Sequence, residues 1–192
     1  MNDHKGFFAM MARMKYIERW ALMRNSVSEN ICEHSLEVAM LAHGLGIIGR
    51  KRFGKDLSPE RLAMLGMYHD CTEIITGDMP TPVKYANDEL KEAYKAIEDS
   101  AAHRLLEMLP EALREIYTPL VMESDEDLNP IVKAADKLSA YIKCVEEQKA
   151  GNTEFDSAAE QTMQALHAMD RPELEWFLDQ CLPAFSKNLD QL

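Results

Sequence analysis

The chain has 192 residues, of which 46% are hydrophobic and 28% charged, and its 33 acidic and 21 basic residues give a net charge of −12. This composition is typical of a globular protein and excludes a disordered tail, a collagen and a disulfide scaffold. The acidic balance argues against binding a nucleic acid polymer or an anionic membrane, because both need a basic surface. The net charge does not exclude a small anionic substrate, provided that local cations or a metal bind it.

The N-terminus and the cysteines indicate a compartment. Charged residues such as Arg13 and Glu18 interrupt the first apolar run, which does not fit the apolar segment of a signal peptide. No stretch reaches the ~20 apolar residues of a membrane span. The four cysteines show no C-x-x-C spacing, so we expect free thiols in a reducing environment. These features predict a cytoplasmic protein without a membrane partner.

Hydrophobic periodicity predicts helices along the whole chain, and hence an all-α fold in a single domain over residues 1–192. In chain order the predicted segments are 7–17, 31 to about 53, 59–77, 87 to about 109, a short helix after Pro110, 129–150, 153–168 and 172–190 with a break at Pro183. The prolines of the sequence GDMPTPVKY predict an ordered loop at 77–85, and the acidic run 123–129 predicts a solvated linker.

Two helix starts carry capping signals. Ser26 and Glu29 have the spacing of a capping box, in which the two side chains satisfy free N–H groups reciprocally. Ser58 followed by Pro59 gives an N-cap hydroxyl and a proline at the first helical position. We therefore expect one helix to begin shortly after Ser26 and the next at Pro59.

Three predicted helices each carry a polar group on an apolar face. His34 aligns with Ile31 and Val38, His69 lies deep in the helix 59–77 next to Asp70, and Asp136 interrupts an apolar run. Such groups are costly to bury without a partner, and a divalent cation is a sufficient one. Glu73 lies one helical turn beyond His69, at the rim of the same site, where a general base is needed.

The order His, His-Asp, Asp resembles the HD-domain phosphohydrolase superfamily, with 35 residues from His34 to His69 and 67 from His69 to Asp136. The segments RWALMRN, SENICEHSLEVAMLAH, MYHDCTEIITGDMPTPVKY and VKAADKLSAYIKC are similar to those of the bacterial 5′-deoxynucleotidases of the YfbR type. This likeness spans residues 19–144. It implies an HD-type helical bundle that hydrolyses 2′-deoxyribonucleoside 5′-monophosphates, and a homodimer.

The resemblance also implies roles for individual residues. His34, His69, Asp70 and Asp136 would hold one divalent metal, and all of them except His69 would also face the substrate. Glu73 would orient or deprotonate the attacking water. Arg19 would grip the phosphate and take part in catalysis, and Trp20 would pack beside the nucleoside. The remaining substrate contacts would come from the loop, at Asp78, Met79, Pro80 and Thr81, with Lys84 and Tyr85 in the same motif.

Two imidazoles and two carboxylates form a ligand set of borderline softness, which suits Mn, Co, Fe, Zn or Cu better than Ca. His43 lies nine residues beyond His34, half a turn away around the helix, so we expect it to point away from this site. Two alternatives stay open from the sequence: a hydrolase of cyclic or hyperphosphorylated nucleotides, and a metal-free helical interaction protein.

Overall fold

The structure is a computed structural model that describes residues 5–84 and 86–192. Within these ranges every regular element is helical, and one isolated antiparallel bridge joins Glu18 to Asn30. The predicted all-α fold is confirmed. The assignment of the whole chain to one domain stays a prediction.

The α-helices of the described ranges are α1 (Phe7–Met11), α2 (Ile31–Phe53), α3 (Pro59–Tyr68), α4 (Glu73–Thr76), α5 (Thr81–Lys84), α6 (Asp88–Glu107), α7 (Glu111–Val121), α8 (Asn129–Lys149), α9 (Asp156–Ala168) and α10 (Pro172–Gln180). Short 3₁₀ helices lie at Met14–Tyr16, Thr153–Phe155, Leu182–Ser186 and Leu189–Gln191.

Helix α2 lies at the centre of the fold, because α3, α8 and α10 all pack against it. Its buried face contributes Val38 and Leu45 to a core that also contains Leu62 of α3 and Leu138 of α8. By length and composition α2 is also able to cross a membrane, but half of its apolar window is buried inside the fold. That burial is typical of the core helix of a globular protein.

Gly66 allows α2 and α3 to approach closely. A Cβ atom at this position would lie 2.9 Å from Cα and 3.0 Å from the backbone nitrogen of Ala39. Backbone atoms cannot move aside as a flexible side chain does, so only glycine fits here. The contact brings the C-terminal end of α3 against α2 and sets the distance between the two histidines described below.

The capping box predicted at Ser26 and Glu29 is wrong. Helix α2 begins later, and its N-cap is Asn30, whose side chain accepts from the backbone N–H groups of Cys32 and Glu33, while Glu33 reciprocates. Glu29 instead precedes the N-cap, and its carbonyl accepts from the Arg19 N–H beside the isolated bridge between Glu18 and Asn30. The other predicted start is confirmed, with Ser58 as the N-cap of α3 and Pro59 in its first turn.

The predicted helix 59–77 does not run through. Helix α3 ends at Tyr68, and the chain turns before α4, so His69 caps a helix end and does not lie deep in a helix. The backbone N–H groups of Cys71, Glu73 and Ile75 each bond three residues back, which tightens the chain relative to an α-helix. This tightening changes the angle between neighbouring side chains.

Other predicted boundaries agree with the structure. Gly77 ends α4 with a φ of 76°, a conformation that favours glycine, and Asn87 caps α6 through its side chain. The first amphipathic segment is a short helix followed by a 3₁₀ turn, and the last one breaks after Gln180 into the 3₁₀ helix that contains Pro183. The predicted loop 77–85 contains the four-residue helix α5.

Candidate metal and nucleotide site

Four predicted residues meet at one point between α2, the end of α3 and α8. The Nε2 atom of His34 lies 3.1 Å from Oδ1 of Asp136 and 3.4 Å from Oδ2 of Asp70. The Nε2 atom of His69 lies 3.1 Å from the same Asp70 oxygen and 4.0 Å from Oδ1 of Asp136. Donor atoms from both histidines and Asp136 all lie within 4.8 Å of one another.

Outer contacts aim both imidazoles inward. The Nδ1 atom of His69 lies 2.8 Å from the Gly66 carbonyl, which only accepts, so Nδ1 carries the proton and the Nε2 lone pair faces the site. His34 Nδ1 lies 3.0 Å from Oγ of Ser139, which itself donates to Glu37, so His34 Nδ1 is again the donor. Contacts of this kind orient metal-binding histidines.

The donor set fits one divalent metal. The Nε2 atoms of His34 and His69 are buried and have no hydrogen-bond partner among the described residues. Two ligands that each lie ~2.1 Å from an ion, as is usual for nitrogen and oxygen on zinc, are separated from each other by roughly 3.0–3.4 Å. Three of the four nitrogen–oxygen distances at the site lie in this range.

The site is strongly polarised when no metal screens its charges. Burial lowers the pKa of His69, but the Asp70 carboxylate outweighs this effect and raises it to about 10. Burial raises the pKa of Asp136, but interactions with His34 and His69 lower it to about 2. Protons and a metal therefore compete for the same Nε2 lone pairs. The Asp136 side chain is 38% exposed, so it is less buried than its apolar neighbours suggested.

Arg19 and Trp20 adjoin this site in the segment that precedes α2. The Arg19 side chain is 12% exposed, and its Nη1 atom lies 3.3 Å from Oδ2 of Asp70. The Trp20 ring packs on Phe155 with a centroid distance of 5.3 Å. Burial raises the pKa of Asp78, and Arg19 together with the Trp20 backbone N–H acts in the opposite direction. Asp78 therefore lies close to Arg19 and Trp20. Its predicted contact with the substrate stays a prediction.

Glu73 is buried at the start of α4, and its Oε2 atom has no hydrogen-bond partner among the described residues. Burial first, and then the carboxylates of Asp70 and Asp78, raise its pKa to about 9. Arg19 and His69 act in the opposite direction, so Glu73 faces the same charged cluster. The charge of a divalent cation at the donor set would lower this pKa again, and the buried carboxylate could then accept a proton as a general base does.

The remaining loop residues are less buried than Glu73. Met79 and Pro80 are half-buried, Thr81 is exposed, and Lys84 forms an ion pair of 2.8 Å with Glu98. Tyr85 and His4 lie outside the described residues. His43 is exposed on α2, which agrees with the expectation that it points away from the site.

A cavity of about 620 Å³ opens at His69, Asp70 and Asp136 and gives access to the donor set. Its walls carry five lysines, namely Lys84, Lys91, Lys95, Lys133 and Lys137. The same walls carry five carboxylates, namely Asp70, Glu98, Asp99, Glu123 and Asp136. The cavity lining is therefore balanced in charge within a chain whose net charge is −12, so it repels an anion less than the rest of the surface does.

Three residues that contact the site were missed from the sequence. Ser139 and Glu37 each lie three residues beyond a predicted ligand, Asp136 and His34, and hence on the same face of its helix. That spacing was a usable signal for both. Glu29 was interpreted as a helix cap, and only the folded backbone shows that it contacts Arg19 and Trp20.

Residues 6–185 match a family model described as 5′-deoxynucleotidase YfbR-like. The chain belongs to this family. It is 50% identical over 188 residues to the 5′-deoxynucleotidase of Vibrio parahaemolyticus, covering 97% of each chain. It is 48% identical over 189 residues to the 5′-deoxynucleotidase YfbR of Escherichia coli, covering 97% of this chain and 94% of the relative. The resemblance inferred from the sequence is confirmed.

Solved structures support the fold of this YfbR-like chain. An HD-domain phosphohydrolase from Listeria innocua superposes with a TM-score of 0.79 at 22% identity, over 93% of this chain and 87% of the other. The cyanophage S-2L HD phosphohydrolase DatZ, solved with dA and one catalytic Zn²⁺ ion, superposes with a TM-score of 0.64 at 19% identity, over 94% and 96%. The architecture is therefore that of the HD domain.

Proposed function

We propose that this protein is a metal-dependent 5′-deoxynucleotidase, which hydrolyses 2′-deoxyribonucleoside 5′-monophosphates to deoxyribonucleosides and phosphate. One observation carries the proposal. In a YfbR-like chain, the unpartnered Nε2 atoms of His34 and His69 converge with the carboxylates of Asp70 and Asp136, directly beside Arg19. Curated relatives with about half of their residues in common are named 5′-deoxynucleotidases.

His34, His69, Asp70 and Asp136 would hold one divalent transition metal. We retain Co, Mn, Cu, Zn and Fe as candidates, since the mixed ligand set excludes none of them. When bound, a divalent metal would supply Lewis-acid chemistry, because it polarises a phosphoryl oxygen and lowers the pKa of water towards neutrality.

The chain's own residues complete the site. Arg19 binds the phosphate through its planar guanidinium, which matches two phosphate oxygens at once, and it stabilises the charge of the transition state. Glu73 takes the proton of the attacking water through the buried oxygen that has no other partner. Positioning and charge stabilisation carry most of the catalysis of phosphoryl transfer.

The deoxyribose preference follows from the surroundings of the sugar. Trp20 packs beside the nucleoside, and Asp78, Met79, Pro80 and Thr81 line its sugar and phosphate end. A 2′-hydroxyl that finds no partner there is buried unpaired, at a cost of ~1–3 kcal/mol, which is about one to two decades in specificity. The base stacks and is not selected by hydrogen bonds, so different bases are tolerated.

The experiment compares kcat/KM for dAMP and AMP, and then for dAMP, dGMP, dCMP and dTMP, by phosphate release. We expect dAMP to exceed AMP by about one to two decades and the four deoxynucleotides to differ far less. The 3′-monophosphate of deoxyadenosine is the control for the position of the ester. Equal rates for AMP and dAMP would remove the exclusion of the 2′-hydroxyl, and no release from any 5′-monophosphate would refute the proposed function.

A homodimer and a cytoplasmic location complete the proposal. Both rest on the family resemblance and on the sequence features given above. Sedimentation at several protein concentrations measures the first, and a single species with the mass of one chain would contradict it.

A further inference from the structure

Glu29 is held directly opposite Arg19 by the backbone. The Arg19 N–H donates to the Glu29 carbonyl at 2.9 Å, and the Ile31 N–H donates to the Ile17 carbonyl at 2.9 Å, on either side of the bridge between Glu18 and Asn30. This short antiparallel pairing fixes the register of the two segments. Residue 29 therefore cannot move away from residue 19 without breaking these bonds.

One carboxylate oxygen of Glu29 contacts both Arg19 and Trp20. Its Oε2 atom accepts a hydrogen bond of 2.7 Å from the indole Nε1–H of Trp20 and lies 3.4 Å from Nε of Arg19. The Glu29 side chain is 14% exposed, so water screens these contacts only weakly. Oδ2 of Asp70 accepts from Nη1 of the same guanidinium at 3.3 Å, so two carboxylates face Arg19, one through a hydrogen bond and Glu29 through an ion pair.

Trp20 needs such support because its backbone is strained. Its φ angle is 61°, in the left-handed region that bulky side chains rarely adopt. A residue keeps this conformation only when its surroundings determine it. Its surroundings include the hydrogen bond to Glu29, the packing on Phe155, the backbone N–H that faces Asp78, and the Met23 N–H and Asn25 amide, which both donate to the Trp20 carbonyl. Of these, the bond to Glu29 holds the indole nitrogen.

The following loop is anchored separately. Glu147 accepts from the backbone N–H of Ser26 at 2.8 Å and from the side chain of Asn152 at 2.8 Å. The loop fold thus does not depend on Glu29. The Glu29 side chain is directed at Arg19 and Trp20, and its Oε1 atom lies 3.7 Å from Nδ1 of His34.

We propose that Glu29 is a positioning residue, which fixes the guanidinium of Arg19 and the indole of Trp20 in the orientation that recognises a nucleoside monophosphate. This proposal rests on the proposed function, since it concerns the substrate of the same site. Glu29 acts through the two side chains and contacts neither the donor atoms nor the substrate.

The test uses Glu29→Ala, Glu29→Gln and the control Glu18→Gln in the full chain. Glu18 lies on the partner segment of the same antiparallel pairing, is exposed, and loses the same charge in its variant. Glutamine keeps an acceptor for the indole N–H but removes the charge that faces Arg19. We expect Glu29→Gln to lower kcat with little change in KM, and Glu29→Ala to lower kcat and raise KM, with a loss in kcat/KM on the order of 10²-fold.

A cycle with Arg19→Ala tests whether Glu29 acts through the guanidinium. If it does, Glu29→Ala costs much less in the Arg19→Ala background than in the unsubstituted protein. Bound metal, measured per chain, stays the same in all variants. A Glu29→Ala variant within twofold of Glu18→Gln in kcat/KM, or a full penalty in the Arg19→Ala background, overturns the proposal.

Tryptophan fluorescence gives a second readout that needs no activity. The chain has two tryptophans, so a Trp176→Phe background leaves Trp20 as the only one. We expect Glu29→Ala to shift its emission to the red and to increase quenching by acrylamide, and Glu29→Gln to restore most of both. Unchanged emission and quenching in Glu29→Ala overturns the proposal, whereas absence of hydrolysis by the unsubstituted protein refutes the proposed function alone.

Discussion

Replacement of Gly66 by alanine is expected to disturb both the stability and the metal site. The new Cβ would lie 2.9 Å from Cα of Ala39, where carbon atoms normally stay ~3.5–4.0 Å apart, so α3 must move by roughly 0.5–1 Å. Overpacking of this kind costs ~1–3 kcal/mol. For a chain of this length, that lowers Tm by about 2–12 °C, at ~2–4 °C per kcal/mol.

The shift also reaches the metal ligands, because the Gly66 carbonyl bonds Nδ1 of His69. Loss of such an outer contact typically costs 10–100-fold in metal affinity. Calorimetry of the metal-free protein measures the first effect, and zinc titration against a chelator measures the second.

Gly44→Ala is the matched control, since it lies in the interior of α2 and a Cβ there meets nothing within 4 Å. Alanine is favoured over glycine by ~0.5–1 kcal/mol inside a helix, so this variant is expected to gain stability. If Gly66→Ala has the same Tm as Gly44→Ala and binds zinc as tightly as the unsubstituted protein, the close approach of α2 and α3 does not determine the geometry of the metal site.

Three further predictions concern the groups around the donor set. Ser139→Ala removes the acceptor for Nδ1 of His34 and is expected to weaken zinc binding ~10–100-fold in the same titration, and unchanged affinity would contradict the inferred tautomer. Glu73→Ala is expected to keep a full equivalent of metal and to lose ~10²–10⁴-fold in phosphate release, so near-normal activity excludes it as the base. Because the pKa of Glu73 is raised from 4.5 to about 9 in the folded protein, the metal-free fold binds a proton that the unfolded chain releases, and its stability falls as the pH rises through this range. Glu73→Gln has no titrating group at this position. The Tm of this variant minus that of the unsubstituted protein, both without metal, should therefore increase from pH 5 to pH 9. A constant difference would show that the pKa is not raised.

The candidate ligands could be picked out from the sequence because a helix restricts where its residues point. His34 and Asp136 each interrupt an apolar face, and an apolar face identifies the buried side of a helix without tertiary information. The order of the motifs along the chain then indicated which family the chain resembles. The helix starts at Pro59 and after Asn87 were likewise predictable, because their capping signals involve only neighbouring residues.

The geometry around His69 was not predictable in the same way. The apolar periodicity continues from Pro59 to Gly77, but the α-helix ends at Tyr68. After that residue, backbone hydrogen bonds three residues back form the turn, next to the close contact of Gly66 with α2. This turn brings the side chains of His69 and Asp70 together at one point. On a regular α-helix, adjacent side chains point about 100° apart and converge less easily.

Glu29 shows a second kind of limit. Its spacing from Ser26 matches a capping box, and that local signal competes with a non-local one, the pairing of residues 17–19 with 29–31. A pairing across a turn leaves no periodic pattern when each segment has only three residues. The role of Glu29 became visible only when the backbone placed it opposite Arg19.

The most direct measurement of the central claim is phosphate release from dAMP by metal-stripped protein, titrated with manganese, cobalt or zinc. We expect activity to be absent without metal, to rise linearly, and to level off at one equivalent per chain, while His69→Ala and Asp136→Ala stay inactive. Activity that survives complete removal of metal, or full metal binding and turnover by both variants, would contradict the site described here.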